Sequence, residues 1–316
     1  MGAKSRAWPA PTGLLLLVLF IGSARAASYA LPPPGESLVG ALDYAVTDES
    51  DTLVDVARRT RLGYEELVLA NPAVDRWLPG AGTSVLLPTR YILPNAPRAG
   101  IVVNLAEFRL YYYPKPAKAG GKRLVETFAV SAGRDDWKTP EALLTRVSRR
   151  LKNPAWYPPR AIREEHAADG RPLPAIVLPG PDNPLGPLAL KLAIPGGYFI
   201  HGTSKPFGIG MKVTHGCLRL YPEDMEQLFR DVPEGTPVRV VNQPFKTAWQ
   251  GGVLFVEAHP AAEGGALSDF ALIREQLEQA VAARPGYEID WSVAESLALQ
   301  PRGVPLPVPR AQSSRG

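Results

Sequence analysis

The sequence contains little cysteine and histidine: one cysteine and four histidines occur in 316 residues. A single cysteine excludes an intramolecular disulfide, and it excludes zinc sites built from paired cysteines. Long apolar runs are also absent. The run Leu14–Ile21 has eight residues, whereas a helix that spans a membrane needs about 20. No stable membrane span is therefore expected.

The first 26 residues have the pattern of a secretory signal peptide. Lys4 and Arg6 precede the apolar run, and Ala24 and Ala26 form the A-x-A pattern of a cleavage site. We therefore expect cleavage after Ala26 and export of the chain, with an uncleaved anchor as the alternative. The residue directly after the expected cleavage site is Ala27 and not a cysteine, so a lipid-anchored lipoprotein is not expected.

The charge balance does not indicate a nucleic-acid partner. The whole chain has 35 basic and 31 acidic residues. Removal of the signal peptide takes away Lys4, Arg6 and Arg25, which leaves 32 basic residues against 31 acidic ones. A chain with this balance lacks the excess of positive charge that binding to nucleic acid requires.

Residues 40–90 alternate between strand and helix patterns. Tyr44–Thr47 predicts a strand, Asp51 is expected to cap a helix that Gly63 closes, and Tyr64–Ala70 predicts a second helix before the returning strand "TSVLLP". This βααβ order, with "YAV", "DTLVDVA", "YEEL", "LANP" and "GTSVLLP", resembles the LysM module. The resemblance implies binding to glycans that contain N-acetylglucosamine, such as peptidoglycan. A helical cap that only packs on the main domain is the alternative.

The rest of the chain predicts a larger domain that is mostly β. Residues 89–100 predict a linker, and residues 99–243 predict short strands, among them a hairpin that starts at Ile101, "PAIVLPG" and "LALKLAIPGGYFIHG", with one helix from Pro222. Residues 250–300 add a strand and an amphipathic helix, which we interpret as an α+β extension. The proline-rich composition of residues 301–316 predicts disorder.

The chemistry of the sequence is concentrated around its single thiol. His215 and Gly216 directly precede Cys217, Arg219 follows it, and His201 lies sixteen residues upstream. A cysteine attacks as the thiolate, which a cationic or hydrogen-bonding neighbour stabilises. We expect His215 and Cys217 to point to the same side of a strand, with His201 on a neighbouring strand. The amides of Gly216 and Cys217 could form an oxyanion hole.

This segment also permits other interpretations. His201, His215 and Cys217 could bind zinc, but a closed structural site needs a fourth ligand. An inert buried cysteine is the second alternative, although an exported chain gains nothing from a free thiol that alanine could replace. The order His…Cys argues against papain-like and NlpC-type peptidases. Sortases have the order His…Cys…Arg, but with much longer spacings.

The segment "HG…THGCLRL", preceded by "NPLGPLALKLAIPGGYFIHGT", resembles the YkuD-type L,D-transpeptidase catalytic domain over about residues 99–240. The resemblance implies a β-sandwich or barrel with a short helix after the cysteine, and it implies no metal and no organic cofactor. It further implies that Cys217 is the nucleophile and His201 the proton donor and acceptor. His215, Gly216 and Arg219 would shape the oxyanion and substrate site, and Thr214 stands where the family has Ser or Thr.

The domain order is similar to that of the periplasmic enterobacterial group, which attaches the Braun lipoprotein to peptidoglycan; "KNPAWYPP" also resembles that group. The similarity implies a periplasmic location, peptidoglycan as the substrate, and either a second peptide stem or an outer-membrane lipoprotein as the acyl acceptor. Two alternatives stay open: an L,D-carboxypeptidase or hydrolase of the same bonds, and a non-catalytic peptidoglycan-binding protein.

The sequence departs from the family at one turn. The family has T-P-x-G after its first strands, whereas this chain has "KTPEALLTRV", with Glu141, Ala142 and Leu143 where glycine is expected. His166 and His259 match no family motif. We interpret both as ordinary surface or packing histidines.

Overall fold

The computed structural model describes residues 27–118, 120–260, 270–282 and 284–311. The predicted signal peptide lies outside these residues. The strands are β1 (Ala27–Ala30), β2 (Leu38–Gly40), β3 (Asp43–Val46), β4 (Ser84–Leu87), β5 (Arg90–Ile92), β6 (Gly100–Asn104), β7 (Arg109–Tyr113), β8 (Leu124–Ala129), β9 (Ala132–Gly133), β10 (Leu144–Lys152), β11 (Leu188–Leu192), β12 (Phe199–His201), β13 (Lys212–Thr214), β14 (Leu218–Arg219), β15 (Pro237–Val241), β16 (Phe245–Gln250), β17 (Val253–Ala258) and β18 (Leu306–Val308).

The helices complete the element order. They are α1 (Leu53–Thr60), α2 (Tyr64–Ala70), α3 (Arg160–Ala168), α4 (Pro222–Asp231), α5 (Phe270–Ala282) and α6 (Trp291–Leu299), with 3-10 turns at Leu105–Glu107 and Pro206–Gly208. Among the described helices, none has the length and apolar composition needed to cross a membrane.

A nine-stranded sheet forms the centre of the molecule, in the order β1-β8-β7-β6-β15-β10-β11-β12-β14. Its pairs are antiparallel except for two parallel pairs, β6 with β15 and β12 with β14. The sheet curls back on itself, because Ser131, just after β8, exchanges backbone hydrogen bonds of 2.8 and 3.1 Å with Arg219 of β14. This large mixed sheet confirms the prediction of a mostly β domain.

The sheet buries its apolar residues against helix α4. Pro222 begins this helix, and Glu223 and Asp224 in its first turn complement the helix dipole, as the sequence predicts. The main apolar core consists of strand residues and one face of α4, among them Ile101, Val103, Leu110, Phe128, Val147, Leu190, Ile200, Leu218, Met225, Leu228 and Phe229. Burial of these side chains fixes the strands that flank Cys217.

Two local predictions for the central part of the chain are wrong, and one helix was not predicted. Residues 89–100 are not a free linker, because β5 pairs with β2 and Tyr91, Ile92 and Leu93 are buried. The segment "PAIVLPG" forms only an isolated bridge between Trp156 and Val177. Helix α3 was not predicted, because its nine residues carry a single buried side chain, Ile162, and hence no apolar stripe.

The βααβ order predicted for residues 40–90 is present as β3, α1, α2 and β4, and β3 pairs antiparallel with β4. The helix boundaries differ in detail. Thr52, not Asp51, caps α1 and forms a capping box with Asp55. Arg61, in a left-handed conformation with φ 56°, ends this helix, so Gly63 is the N-cap of α2 instead.

The βααβ module packs directly on the central sheet domain. Arg109 of β7 donates to Oε2 of Glu66 in α2 at 2.6 Å, and both side chains are buried. The backbone N–H of Tyr64 donates to the carbonyl of Ile209 at 3.0 Å. Gly210 makes this approach possible, since a Cβ there would lie 2.4 Å from the Cα of Gly63. Because the contact is buried and close, the module has a fixed position beside the central sheet domain.

The C-terminal segment forms a second small core. Strands β16, β17 and β18 make an antiparallel sheet that packs on α5 and α6. The prediction of a strand followed by a helix is confirmed for β17 and α5. The prediction of disorder is wrong for residues 301–311, because β18 pairs with β17 and the hydroxyl of Tyr287 donates to the carbonyl of Val308 at 2.8 Å. Residues 312–316 lie outside the described residues.

Candidate active site

Cys217 and His201 lie on two neighbouring segments of the central sheet. Strand β12 ends at His201, and it runs parallel to β14, which starts directly after Cys217. The register pairs Ile200 with Leu218 and His201 with Arg219. His201 therefore lies beside Arg219 of the adjacent strand β14. Cys217 is two residues before Arg219 and directly precedes β14. The expected position of His201 on a strand next to the Cys217 segment is thus observed.

The residues directly before Cys217 form a tight bend, not a strand. Gly216 has φ +97°, and a Cβ there would come within 2.8 Å of the Tyr198 ring. The expectation that His215 and Cys217 point to the same side of a strand is therefore wrong, because neither residue is in a strand. The bend is closed by hydrogen bonds, because the Thr214 hydroxyl donates to the carbonyl of Cys217 at 2.6 Å and that of Thr139 donates to the carbonyl of Gly216 at 2.9 Å.

One of the two amides expected to form an oxyanion hole is already engaged. The backbone N–H of Gly216 donates to Thr214 Oγ1 at 3.2 Å. Because the Gly216 amide is engaged in this way, the amide of Cys217 is the better candidate of the two to stabilise a developing negative charge.

His201 is buried in the neutral form. Its Nδ1–H donates to the carbonyl of Gly202 at 2.6 Å, which leaves the lone pair on Nε2. Burial, followed by the positive charge of Arg219, lowers the pKa of His201 from 6.5 to about 3. Carbonyl contacts from Gly202 and Leu185 oppose this shift only in part. At neutral pH the ring is thus an unprotonated base in a fixed tautomer.

Cys217 is a thiol at neutral pH, and a base must deprotonate it before it can attack. Burial raises the pKa of Cys217 above its usual value, while a hydrogen bond from the backbone of Phe199 and the charge of Arg219 act in the opposite direction. Burial likewise lowers the pKa of Arg219, whose Nε is buried without a hydrogen-bond partner among the described residues. The guanidinium of Arg219 is therefore a cation near Cys217 whose Nε–H is available to donate a hydrogen bond.

His215 contacts a residue that the sequence patterns did not single out. Its Nε2 lies 2.9 Å from Oε2 of Glu165, in helix α3, and the edge of the Trp137 ring packs on the imidazole at 5.1 Å between ring centroids. Arg134 donates to the other oxygen of Glu165 at 2.7 Å. The acidic pair "EE" within "RAIREEHAA" was the available signal, but nothing in sequence distance connects it with His215.

The remaining histidines lie in different surroundings. His166 stacks near His215 with 6.3 Å between ring centroids, which places it at the edge of the site. His259 is buried, and its Nε2 is 2.8 Å from Oε1 of Glu257, which also binds Lys246 at 2.8 Å. Within the described part of the chain, Glu107, Glu257 and His259 form the one group close enough to share a metal ion. The ammonium of Lys246 already forms an ion pair with each of the two carboxylates there.

The turn at which the sequence departs from the family motif is strained. Ala142 has φ +50°, a left-handed conformation that glycine adopts far more readily than alanine. The chain has therefore kept the turn that a glycine would form, but with a less suitable residue. This turn follows Thr139, the residue whose hydroxyl binds the carbonyl of Gly216.

Known proteins match the chain over the site and beyond it. The model of the YkuD L,D-transpeptidase catalytic domain matches residues 98–240. A protein of Escherichia coli (strain K12) named "Probable L,D-transpeptidase YcfS" is 38% identical over 297 residues, which covers 92% of this chain and 91% of that protein. "Probable L,D-transpeptidase YbiS" of the same strain is 40% identical over 246 residues, covering 77% and 78%.

A third relative extends the comparison to another organism. "Probable L,D-transpeptidase ErfK/SrfK" of Salmonella typhimurium is 40% identical over 237 residues, which covers 74% of each chain. Identity at this level over most of the chain reaches well past the short motif around Cys217, and it confirms the predicted family. The chain therefore belongs to the YkuD-type L,D-transpeptidases and is an L,D-transpeptidase.

Proposed function

We propose that the protein cleaves the L,D bond of a peptidoglycan tetrapeptide stem through a thioester at Cys217 and transfers the acyl group to an amine. The observation that carries the proposal is the parallel pairing of β12, which ends at the neutral His201, with β14, which starts directly after Cys217. A base and a nucleophile on adjacent segments of a buried sheet are the parts that acyl transfer needs.

The first half of the reaction forms the thioester. The thiol proton of Cys217 passes to Nε2 of His201, and the sulfur attacks the carbonyl carbon of the stem's diamino acid, in the peptide bond that joins it to D-alanine. The tetrahedral oxyanion is held by backbone amide, with the Cys217 N–H as the first donor. When the C–N bond breaks, the protonated His201 gives its proton to the departing D-alanine amine. The enzyme is left as an acyl thioester with a neutral imidazole.

The second half releases the acyl group. An incoming amine attacks the thioester carbonyl, gives a proton to His201, and the thiolate of Cys217 leaves and takes that proton back. A side-chain amine of a second stem yields a 3-3 cross-link, whereas the terminal lysine of an outer-membrane lipoprotein yields a wall anchor. Water in place of the amine makes the enzyme an L,D-carboxypeptidase.

The positive charge of Arg219 acts on Cys217 and His201 in both halves of the reaction. Its charge favours the thiolate of Cys217, and it disfavours a proton on His201. The first effect helps the proton leave the sulfur, and the second makes the protonated imidazole a stronger acid toward the leaving amine. His215 and Gly216 shape the substrate side of the sulfur in this proposal.

We also propose that the βααβ module binds the glycan strand as a LysM domain, and that the chain works in the periplasm after cleavage of residues 1–26. Support comes from the order of β3, α1, α2 and β4 and from the sequence pattern before Ala26. A groove of about 510 Å³ lies between α2 and the residues that support the Cys217 bend, including Gly133 and Thr139. A stem peptide on a module-bound glycan would meet this groove.

Mass spectrometry of the protein with purified tetrapeptide muropeptides tests the proposed function. One reaction contains muropeptides alone, and a second contains a peptide with a C-terminal lysine as a lipoprotein substitute. Loss of D-alanine together with dimers, or with lysine-linked adducts, supports transfer to the respective acceptor. Monomers trimmed of D-alanine without either product would assign hydrolysis instead. No change in any reaction would overturn both forms of catalysis, and Cys217→Ala is the inactive control.

A further inference from the structure

The carboxylate of Glu165 is held at both of its oxygens. Oε2 is 2.9 Å from Nε2 of His215, and Oε1 accepts from Nη2 of Arg134 at 2.7 Å. Arg134 is itself oriented, because its Nε donates to Asp136 at 2.8 Å. Arg134, and then His215, lower the pKa of Glu165 below its usual value, so the carboxylate is ionised at neutral pH.

This contact determines how the ring of His215 is presented. If Nε2–H donates to Glu165, the neutral ring keeps its lone pair on Nδ1. The charged and titratable groups that face the ring are Glu165, Asp136, Arg134 and His166. Only Glu165 makes a hydrogen bond to the ring among the described residues, while Trp137 contacts it through packing.

Helix α3 has little other reason to lie against the active site. It belongs to residues 153–187, which connect β10 with β11, and Ile162 is its buried side chain. The base of this connection is held by Asn183, whose amide donates to the carbonyl of Pro154 at 2.9 Å. A helix with one buried residue gains little from apolar burial. The ionic contacts of Glu165 are thus the main link between α3 and the site.

We propose that Glu165 is a positioning residue of the reaction, which acts through His215 by fixing the tautomer and orientation of its ring next to Cys217. The inference rests on the proposed role of the Cys217 bend in acyl transfer. Glu165 then acts only through its contact with His215, so substitution of Glu165 should have no effect on the rate in the His215→Ala background.

A double-mutant cycle measures whether the two residues act together. The variants are Glu165→Ala, His215→Ala and the combination of both, and the readout is the second-order rate at which a carbapenem acylates Cys217, followed by mass of the intact protein. Loss of ring orientation next to a nucleophile lowers rates by about 10- to 100-fold, which is the expectation for Glu165→Ala. The combined variant should match His215→Ala within about twofold.

Glu164 provides the matched control. It is the neighbouring glutamate on α3, is exposed, and pairs with Arg160 one turn earlier at 2.6 Å. Glu164→Ala should acylate at the rate of the unaltered chain. The proposal is overturned if Glu165→Ala behaves like Glu164→Ala, or if its loss persists in the His215→Ala background.

A further variant and the unaltered chain complete the test. If Glu165→Ala does not fold, Glu165→Gln enters the same cycle, because its amide oxygen can still accept from Nε2–H; it should keep more activity than His215→Ala, and equal or lower activity overturns the proposal. Acylation needs no acceptor amine, so the result does not depend on which acceptor is used. An unaltered chain that no carbapenem acylates would overturn the proposed function and this inference together.

Discussion

Cys217 has two unlike sides, each with its own histidine. His201 is 3% exposed, ends a core strand and is held by the backbone of Gly202. The side chain of His215 is 23% exposed, lies in a bend and is held by another side chain, Glu165. The first histidine cannot move without disturbing the sheet, whereas the second depends on a few polar contacts. The proton transfer proposed for His201 is therefore on the side that the core makes rigid.

The largest difference between the two sides is expected in catalysis. His201→Ala removes the base, so the rate of Cys217 acylation should fall by about 1000-fold. His215→Ala should lower the same rate by about 10- to 100-fold, because it removes a group that shapes the site but not the proton acceptor. Rates of carbapenem acylation give the ranking. Greater residual activity in His201→Ala than in His215→Ala would reverse the assignment of the two histidines.

The two histidines should also differ in their effect on stability against pH. The pKa of His201 is lowered to about 3 in the folded chain and is 6.5 when unfolded. Between these values the unfolded chain binds a proton that the folded chain does not, so stability is complete above pH 6.5 and is lost as the pH falls.

This contribution is about 2 kcal/mol between pH 7 and pH 5. Urea unfolding at several pH values checks it: His201→Gln should flatten the decrease in unfolding free energy by about that amount, and His215→Gln should leave most of the decrease in place. Equal slopes for His201→Gln and the unaltered chain would show that His201 is not buried as a neutral ring.

The turn at Ala142 offers a smaller change on the His215 side. Because Ala142 has φ +50°, Ala142→Gly should relieve strain and raise the free energy of unfolding by about 0.5–1 kcal/mol. Ala280→Gly, in the last turn of α5, is the control and should lower it by about 0.5–1 kcal/mol. Chemical denaturation measures both. A loss of stability in Ala142→Gly as large as in the control would contradict the strain at this turn.

The smallest difference between the His201 side and the His215 side is expected in the effect of salt on the acylation rate. The contact of Glu165 with His215 and Arg134 is partly exposed and therefore screened at high ionic strength, whereas His201 bonds to a buried carbonyl. Raising NaCl from 0.1 to 1 M should slow acylation by about twofold in the unaltered chain. The same change should have little effect in Glu165→Ala, and an equal slowing in both would place the salt effect elsewhere.

Sequence reasoning was strongest where local chemistry and periodicity agree. Helix α2 was predicted at its observed bounds, because Tyr64 to Ala70 has a clear apolar pattern before Asn71-Pro72. It failed for α3, where one buried residue leaves no pattern, and for β18, where a proline-rich strand is stabilised only by its neighbour β17. Long-range pairing overrides composition in such segments.

The candidate site divides in the same way. The motif around Cys217 identified the family, and the resemblance named His201, His215, Gly216 and Arg219 before any coordinates. Glu165 was missed, because 50 residues separate it from His215 and only the path of the 153–187 connection brings them to 2.9 Å.

The sequence by itself determined the family, the enzyme class and the candidate nucleophile, because these depend on residue types at short, specific spacings. Only the tertiary structure decided that His201 is the neutral buried base and that His215 contacts a carboxylate, that of Glu165. The physical reason is that burial and hydrogen-bond partners set a pKa and a tautomer, and both arise from strands and helices that lie far apart along the chain.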